Sequence, residues 1–416
     1  MSVEPLTPGL ISVETALATV LAQCSPLEAE EVPLGQCAGR YLAAPLVAAL
    51  DLPPFTNSAM DGYAVRAADT PGVLRVIGES AAGAPFTGGI GPGEAVAIST
   101  GAVLPDGADC VAIIEEVRLA RTSPKTGLEI EVGVAVTPGD CVRRAGSDVS
   151  RGAEVLTAGT RIGAAQVGTA AALGMAAMQC ARRPRVAVLA TGTELRAPGE
   201  PLAPGQIYNS NGPLLEALVA SAGAEVTVIP AAADTREAHR DALEQALSHD
   251  VALSTGGVSV GGHDLVRDAL AELGVRELFW RIAMKPGKPL SFGVRGERGE
   301  EATPRTLVFG IPGNPVSVLV CFEMFVRPAI SALQGSPEPR PAFKRATLAA
   351  AVSANPQRDE LIRVRRTPEG RFEPLRGQQS HQLAVTAAAD GLARIPAGAS
   401  MLPAGTEIDY LSLSAG

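Results

Sequence analysis

Aromatic residues are scarce in this chain: Phe, Tyr and Trp together make 3% of 416 residues, and there is one tryptophan. Apolar residues still reach 46%, so the cores must be built from Ala, Val, Leu and Ile. That length exceeds what one hydrophobic core serves and implies several domains. The six cysteines (Cys24, Cys37, Cys110, Cys141, Cys180 and Cys321) form no CxxC pair, and none lies near any of the four histidines. A zinc signature is therefore missing, and buried free thiols in a reducing cytoplasm are the simpler reading. The opening MSVEPLTPGL has neither a basic nor an apolar stretch, so no secretory signal is visible. The longest candidate membrane span, residues 162–181, is rich in Ala and Gly and broken by Gln166, Thr169 and Gln179, which predicts a packed soluble helix. Excess positive charge is lacking too. A formal net charge of −9 argues against nucleic acid or an anionic membrane as the main partner. An anionic ligand then requires positive charge concentrated locally.

Periodicity divides the chain. Residues 12–48 carry helical spacing, with Val13, Ala16, Leu17, Val20 and Leu21 on one face. Between Asp51 and about Val142, short alternating runs (VLRVIG, EAVAIST, DCVAIIEEV, LEIEVGVAV) are separated by Gly/Pro/Asp clusters, which reads as an all-β segment. Helical character returns at residues 163–181, so the β segment is inserted into a helical domain. From Arg185 to Gln334, strands (VAVLATG, EVTVIPA, DVALSTGG, TLVFGIPGNP) alternate with helices. The first helix is opened by Pro213 and closed by Gly223, the second runs over 235–248 behind Asp234 or Thr235, and the third over 264–273. This pattern predicts a parallel, three-layer α/β sheet. Beyond about Ser336, short strands recur and suggest a small β-barrel or sandwich.

In open α/β sheets, ligands bind beyond the carboxyl ends of the strands. Four loops read as following strands: TGTEL (191–195), STGGVSVGGHD (254–264), MKPGKP (284–289) and GIPGNPVS (310–317). They offer Thr191, Gly192, Ser254, Gly256, Gly257, Ser259, Gly313 and Asn314 as small or polar ligand-binding residues. One such loop carries little weight, because turns need glycine anyway; four around one sheet carry much more. The second loop precedes a helix start, where the dipole favours an anion, but it is neither a GxGxxG nor a Walker loop. The lysines are the sharpest signal. There are only four (Lys125, Lys285, Lys288 and Lys344), and two of them share one loop, pinned by Pro286 and Pro289. An ammonium is a compact charge suited to phosphate or another oxyanion. Glu194, Asp234 and Asp264 stand at strand ends or helix starts of the same sheet. Carboxylates beside a phosphate imply an intervening cation such as Mg²⁺, although the two aspartates also read as helix caps. Elsewhere, Asp51 to Ala64 (DLPPFTNSAMDGYA) is an unusually specific loop at a domain boundary, and STGA (99–102) and RRAGSD (143–148) supply polar ends. His263 and His381 have no evident partner.

These motifs, in this order, resemble the molybdopterin molybdenumtransferase family, to which the C-terminal domain of gephyrin also belongs. The matching segments are DLPPFTNSAMDGYA, STGA, GSD, ATGTEL, IYNSN, GGVSVGGHD, MKPGKP and GIPGNPVS. The resemblance implies a multidomain α/β and β fold: a helical domain in two parts (1–50 and 143–183), an inserted β domain (51–142), an α/β molybdopterin-binding domain (184–335) and a C-terminal β-barrel (336–416). It implies elongated homodimers in which adenylated molybdopterin and molybdate react with Mg²⁺, leaving molybdenum on the dithiolene and releasing AMP. Glu194, Asp234 and Asp264 fall on the family's acidic positions for metal and catalysis. Asp61, Thr100 and Asp148 match positions contributed by the β domain from the other subunit. Lys285, Lys288, Pro289 and Ser317 match the pterin-phosphate or molybdate pocket. Near the C-terminus RDELIR supplies Arg358 and Arg363, while Ser380 stands in QQSHQ with Gln379 where glycine is usual. Contacts with other cofactor-biosynthesis proteins and apo-molybdoenzymes follow from such a role.

Two other readings share these features. A molybdopterin adenylyltransferase uses the same α/β domain to attach AMP, but lacks the apparatus on either side, above all Asp51–Ala64. A binding scaffold, as gephyrin is, has no need to keep Glu194, Asp264, Lys285 and Lys288.

Overall fold

The sequence from Arg185 to Ala190 has no polar residue after its first, as a strand covered on both faces requires. In the computed structural model, which describes residues 9–123, 127–230, 236–256, 265–296, 305–398 and 401–413, this segment is a strand with Val186 to Ala190 all buried. Alternate residues serve opposite faces. Val186 and Val188 join Leu215, Val219, Phe309, Val320 and Phe325 on one side. Ala187 and Leu189 join Leu243, Leu247, Val266 and Leu270 on the other.

The sheet built around it has six strands in the order Glu225–Ile229, Arg185–Ala190, Val251–Thr255, Thr306–Ile311, Ser291–Arg295, Arg276–Trp280. The first four, those read from the sequence, are mutually parallel. The last two are antiparallel to their neighbours, so the expected all-parallel sheet is mixed. Residues 276–280 and 291–295 were hidden by charged ends and by the glycine and lysine loop between them. Direction matters here: the 276–280 strand is antiparallel to a strand that is itself antiparallel to Thr306–Ile311. Its carboxyl end therefore lies on the same edge as the ends of the four parallel strands.

Helices cover both faces. Asn211–Ser221 begins two residues before Pro213, and Arg236–Ala246 and Leu265–Glu272 follow; the caps expected at Asp234, Thr235 and Asp264 lie outside the described residues. Pro315–Cys321 is prolonged by a π-helical turn at Phe322–Val326 and by Arg327–Leu333. This continuous helix, Pro315–Leu333, is long and apolar enough to cross a membrane, and it is 83% buried inside the protein. The packed helix expected over 162–181 divides instead into a helix, Ala164–Ala172, and a strand, Ala177–Ala181, that pairs antiparallel with Ala29–Pro33.

Only Val13–Leu21 of the helical stretch at 12–48 is an α-helix. Ser12 caps it by accepting from the Thr15 N–H at 3.0 Å, which is worth about 1 kcal/mol. Val13, Ala16, Leu17 and Val20 are buried against the α/β core, not against residues 164–172. A separate core gathers Val32, Leu42, Leu46, Ile162, Leu173 and Met178. The inserted segment forms a six-stranded sheet from Gly62–Val65 to Gly127–Val132. The C-terminal segment forms another sheet around Asp359–Arg366, Gly391–Ile395 and Glu407–Ser412, and its edge strand is Met284–Lys285 from the lysine loop.

At the amino ends of the parallel strands, Asp250 holds the register. Its carboxylate accepts from Arg182 Nη1 and Nη2 at 2.8 and 3.0 Å and from the Arg185 N–H at 2.7 Å. Its own N–H donates to Arg185 O, and its carbonyl accepts from Leu307 N. Burial by itself would raise the Asp250 pKa, but the Arg182 guanidinium and the Arg185 N–H outweigh it, and the carboxyl titrates below the usual aspartate range. A depressed folded pKa gives stability that is present above the unfolded value and lost as pH falls through the folded one. Asp250→Ala is expected to cost about 3 kcal/mol at pH 7, measured by urea unfolding. The difference from the parent protein should shrink on acidification below the ordinary aspartate pKa.

Candidate functional site

The edge opposite Asp250 is where the strand-end loops meet. The Thr191 N–H donates to Thr255 O at 3.0 Å, and the Thr191 hydroxyl to the same carbonyl at 3.4 Å. Gly256 follows with φ +89°, and a Cβ there would collide with Thr191 O. Gly256 therefore meets both demands that single out glycine, a left-handed backbone and no room for a side chain. Gly313 lies against the Gly256 backbone in turn. Asn211 ties the set together: its Nδ2 donates to Gly313 O at 2.7 Å and to Thr255 Oγ1 at 3.2 Å. Three strand ends and one helix start thus form a single surface of backbone groups around Thr191, Gly192, Gly256 and Gly313. Asn314 stands at the N-cap position of the helix that Pro315 opens, without a side-chain capping bond, and Ser317 is buried in its first turn. Ser254 differs from expectation. Its hydroxyl points within the sheet, toward Phe309 O at 3.5 Å, and is 3% exposed.

The lysine loop was expected to follow a strand directly. Instead it is a closed loop between antiparallel strands. Arg281 N–H donates to Leu290 O, and Ile282 N–H to Lys288 O, which closes its neck. The Ala283 N–H donates to Ile11 O at 2.7 Å, which fastens the loop to the N-terminal segment. Met284 and Lys285 pair with Asp359 and Glu360. Lys285 Nζ lies 2.9 Å from Glu360 Oε1, with side chains 52% and 12% exposed. A pair this open is worth about 1 kcal/mol or less, whereas a charge-assisted bond to an oxyanion contributes about 1.5–3 kcal/mol. The lysine is thereby oriented by Glu360 and remains able to take an anion. Lys288 is exposed, with Pro289 beside it.

Arg363, in the sheet strand next to Lys285, is 1% exposed and has no carboxylate partner among the described residues. Burial draws its pKa below the ordinary arginine value. Its guanidinium donates to Gly377 O at 2.7 Å and to Gln379 O at 3.3 Å. The Ser380 carbonyl then accepts from the Val316 N–H at 3.1 Å. So Arg363 reaches the site through the 377–380 turn, which docks on the same helix start as Asn314. The departure at Gln379 has a simple account: it contributes its carbonyl, and it is not among the positive-φ residues, so glycine is not needed there.

The acids separate into three groups. The Glu194 carboxylate folds back over Gly192, where a Cβ would strike it. Asp234 and Asp264, with Gly257, Ser259 and His263, lie outside the described residues. Asp61 sits in the inserted domain, accepting from the Thr100 N–H at 2.7 Å and the Thr100 hydroxyl at 3.0 Å. These two bonds, the backbone one first, hold its pKa below the usual range. The Asp148 N–H donates to Leu52 O in the turn facing the Asp51 loop. Among the described residues, no hydrogen bond or ion pair joins Asp61, Thr100 or Asp148 to the strand-end loops. Nor do the described residues contain a cluster of three metal-binding side chains. Glu194 alone is compatible with Mg²⁺, which needs few protein carboxylates and keeps several waters.

Residues overlooked in the sequence are instructive. Asn211 and Glu360 lie inside the motifs IYNSN and RDELIR, and the sequence does not single them out because neither is cationic or at a strand end. Trp280 and Arg281 open the lysine loop, and the lone tryptophan was the signal available.

The family model "MoeA N-terminal region (domain I and II)" matches residues 11–174, "Probable molybdopterin binding domain" matches 187–332, and "MoeA C-terminal region (domain IV)" matches 345–413. Molybdopterin molybdenumtransferase 2 of Mycobacterium tuberculosis is 36% identical over 416 residues, covering 96% of this chain and 98% of that protein. The molybdopterin molybdenumtransferase of Haemophilus influenzae is 37% identical over 330 residues, 78% of each. The crystal structure of the molybdopterin biosynthesis MoeA protein from Pyrococcus horikoshii superposes with a TM-score of 0.81 at 32% identity, over 98% of this chain and 100% of that one. The multidomain α/β and β fold is therefore of the MoeA type, and the chain belongs to the molybdopterin molybdenumtransferase family, transferases of molybdenum cofactor biosynthesis.

Proposed function

We propose that this protein inserts molybdate into adenylated molybdopterin, with release of AMP, acting in the cytoplasm as a homodimer. The observation that carries the proposal is the convergence of the loops after Ala190, Thr255 and Ile311 with the Lys285 loop on one sheet edge. Backbone groups of Thr191, Gly192, Gly256 and Gly313 form the cradle for the pterin-phosphate. Lys285, steered by Glu360, and Lys288 hold the oxyanions of phosphate and molybdate. Arg363 fixes the turn that carries Ser380, and Pro289 limits the freedom of the lysine loop. Glu194 is the described residue that would hold Mg²⁺, with Asp234 and Asp264 in the same role by family resemblance. When bound, that ion would supply electrostatic stabilisation of charge on the bridging phosphate oxygen. The dithiolene of the substrate provides the sulfur ligands of molybdenum, so no cysteine of the chain takes part, in keeping with the burial of Cys24, Cys37, Cys110, Cys180 and Cys321.

Asp61, Thr100 and Asp148 complete the site from the partner subunit in this reading. Asp61 is held ionised by Thr100 and is exposed, as a residue offered to another surface should be. The loaded cofactor then passes to apo-molybdoenzymes, directly or through other proteins of the pathway.

Purified protein given adenylated molybdopterin, molybdate and Mg²⁺ is expected to release AMP and to yield a cofactor that reconstitutes an apo-molybdoenzyme. Chelation should stop the release, and added Mg²⁺ should restore it. ATP-dependent adenylation of bare molybdopterin in its place would make the protein an adenylyltransferase. Lys285→Ala is expected to lower turnover by about 10²-fold; unchanged turnover would remove the lysine from the site. The shared site has its own test. Asp61→Asn and Lys285→Ala, each strongly impaired alone, should recover about a quarter of parental activity when subunits are mixed, because half of randomly formed dimers then carry one intact site. No recovery after verified subunit exchange would place Asp61 and Lys285 in the same subunit's site or outside it.

A further inference from the structure

The neck of the lysine loop carries an arrangement that the proposed reaction leaves unused. The single tryptophan of the chain, Trp280, ends the last strand of the sheet, and two guanidiniums lie over its ring. Arg281 Cζ is 3.7 Å from the ring centroid and Arg267 Cζ is 4.3 Å away. Successive side chains of an extended strand point to opposite faces, so residue 281 cannot stack on residue 280 while the strand continues. The backbone breaks at that point: Arg281 has φ +75°, and among the described residues the only other non-glycine residue with positive φ is Cys141. The break is fastened by the Arg281 N–H to Leu290 O and by the Ile11 N–H to Arg281 O. A left-handed arginine is unfavourable and persists only where its surroundings impose it. Here its consequence is a guanidinium laid on an aromatic face, which limits its rotamers and keeps its N–H fork available.

The charges at this neck do not cancel. Arg267 is neutralised by a bidentate pair with Glu277, at 2.9 and 2.7 Å, and Lys285 is oriented by Glu360. Arg281 has no carboxylate partner among the described residues, and neither does Lys288, seven residues on in the same loop. In a chain of net charge −9, two cations without carboxylate partners in one loop leave a local excess of positive charge. Arg281 is also partly exposed, so a ligand can reach it.

We propose that Arg281, stacked on Trp280, is an oxyanion-binding subsite at the neck of the lysine loop that takes a tetrahedral group, phosphoryl or molybdate, through its guanidinium fork. The proposal rests on the reading of the neighbouring loops as a phosphate site and adds a residue to it. A planar fork engages two oxygens of one tetrahedral group at once, which the lysine ammoniums cannot do. Because the ring lies against that guanidinium, Trp280 emission reports occupancy.

The test titrates the full-length protein with AMP and, separately, with sodium molybdate, following Trp280 fluorescence and calorimetric Kd. Either ligand should change the emission, and whichever binds should do so at least about tenfold more weakly in Arg281→Ala. Arg281→Gly separates binding from folding: glycine suits a φ of +75°, so this variant should keep or raise the melting temperature while losing the same affinity. Weakened AMP binding assigns the subsite to the phosphoryl group, and weakened molybdate binding assigns it to the inorganic ion. Affinity within twofold of the parent for both ligands in folded Arg281→Gly, or no binding of either ligand to the parent, overturns the proposal. AMP release from adenylated molybdopterin by the same parent preparation tells that failure apart from failure of the proposed reaction.

Discussion

Everything at this site depends on strand direction. Four parallel strands bring their carboxyl ends to one edge, and a fifth, two strands away, arrives at the same edge after two reversals. Parallel pairing leaves no choice about where the loops fall, so Thr191, Gly256 and Gly313 become neighbours though they lie 65 and 57 residues apart in the chain. Their close contact then selects residues without side-chain bulk. Gly256 backs onto Thr191 O, and Asn211 fastens the outcome by bonding two loops with one amide. The opposite edge is held by Asp250, which bonds the beginnings of three strands through its carboxylate, N–H and carbonyl. A carboxylate buried to that degree is stabilising only because Arg182 and the Arg185 N–H outweigh its desolvation.

The lysine loop is where separate parts of the chain converge. Its neck is closed by its own backbone, Ile11 straps it from the N-terminal segment, and its Met284–Lys285 portion is an edge strand of the C-terminal sheet. Movement of the C-terminal sheet would therefore move Lys285, and Glu360 sets the direction of that ammonium. Arg363 works at one remove, by way of the Gly377 and Gln379 carbonyls and the Ser380 carbonyl on Val316. The C-terminal sheet thus contributes to the site through backbone register and a buried guanidinium, and only indirectly through the serine whose surroundings depart from the family pattern.

Periodicity made the α/β architecture legible because a strand covered on both faces must be apolar throughout, as VAVLA is. It failed where burial and pattern part company. Residues 276–280 and 291–295 begin or end in charged residues, and the strand 177–181 continues an Ala-rich run that reads equally as helix. The helix at 13–21 was visible, but its partner was not: an apolar stripe states that a face is buried without stating against what, and the α/β core takes it.

The lysines tell the same story at the level of chemistry. Their rarity and their shared loop point to an anion site at residues 284–289, and the order of motifs was enough to name the family. The sequence by itself therefore determined the strand-and-helix alternation, which loops follow the parallel strands, and the family. The tertiary structure alone decided that Lys285 is steered by Glu360, that the Ser254 hydroxyl is spent on Phe309 O, and that Arg281 lies on Trp280. The reason is physical. Composition and periodicity record what each residue prefers, whereas a side chain's partner and direction are set by register, by a single left-handed residue and by contacts between segments far apart in the chain.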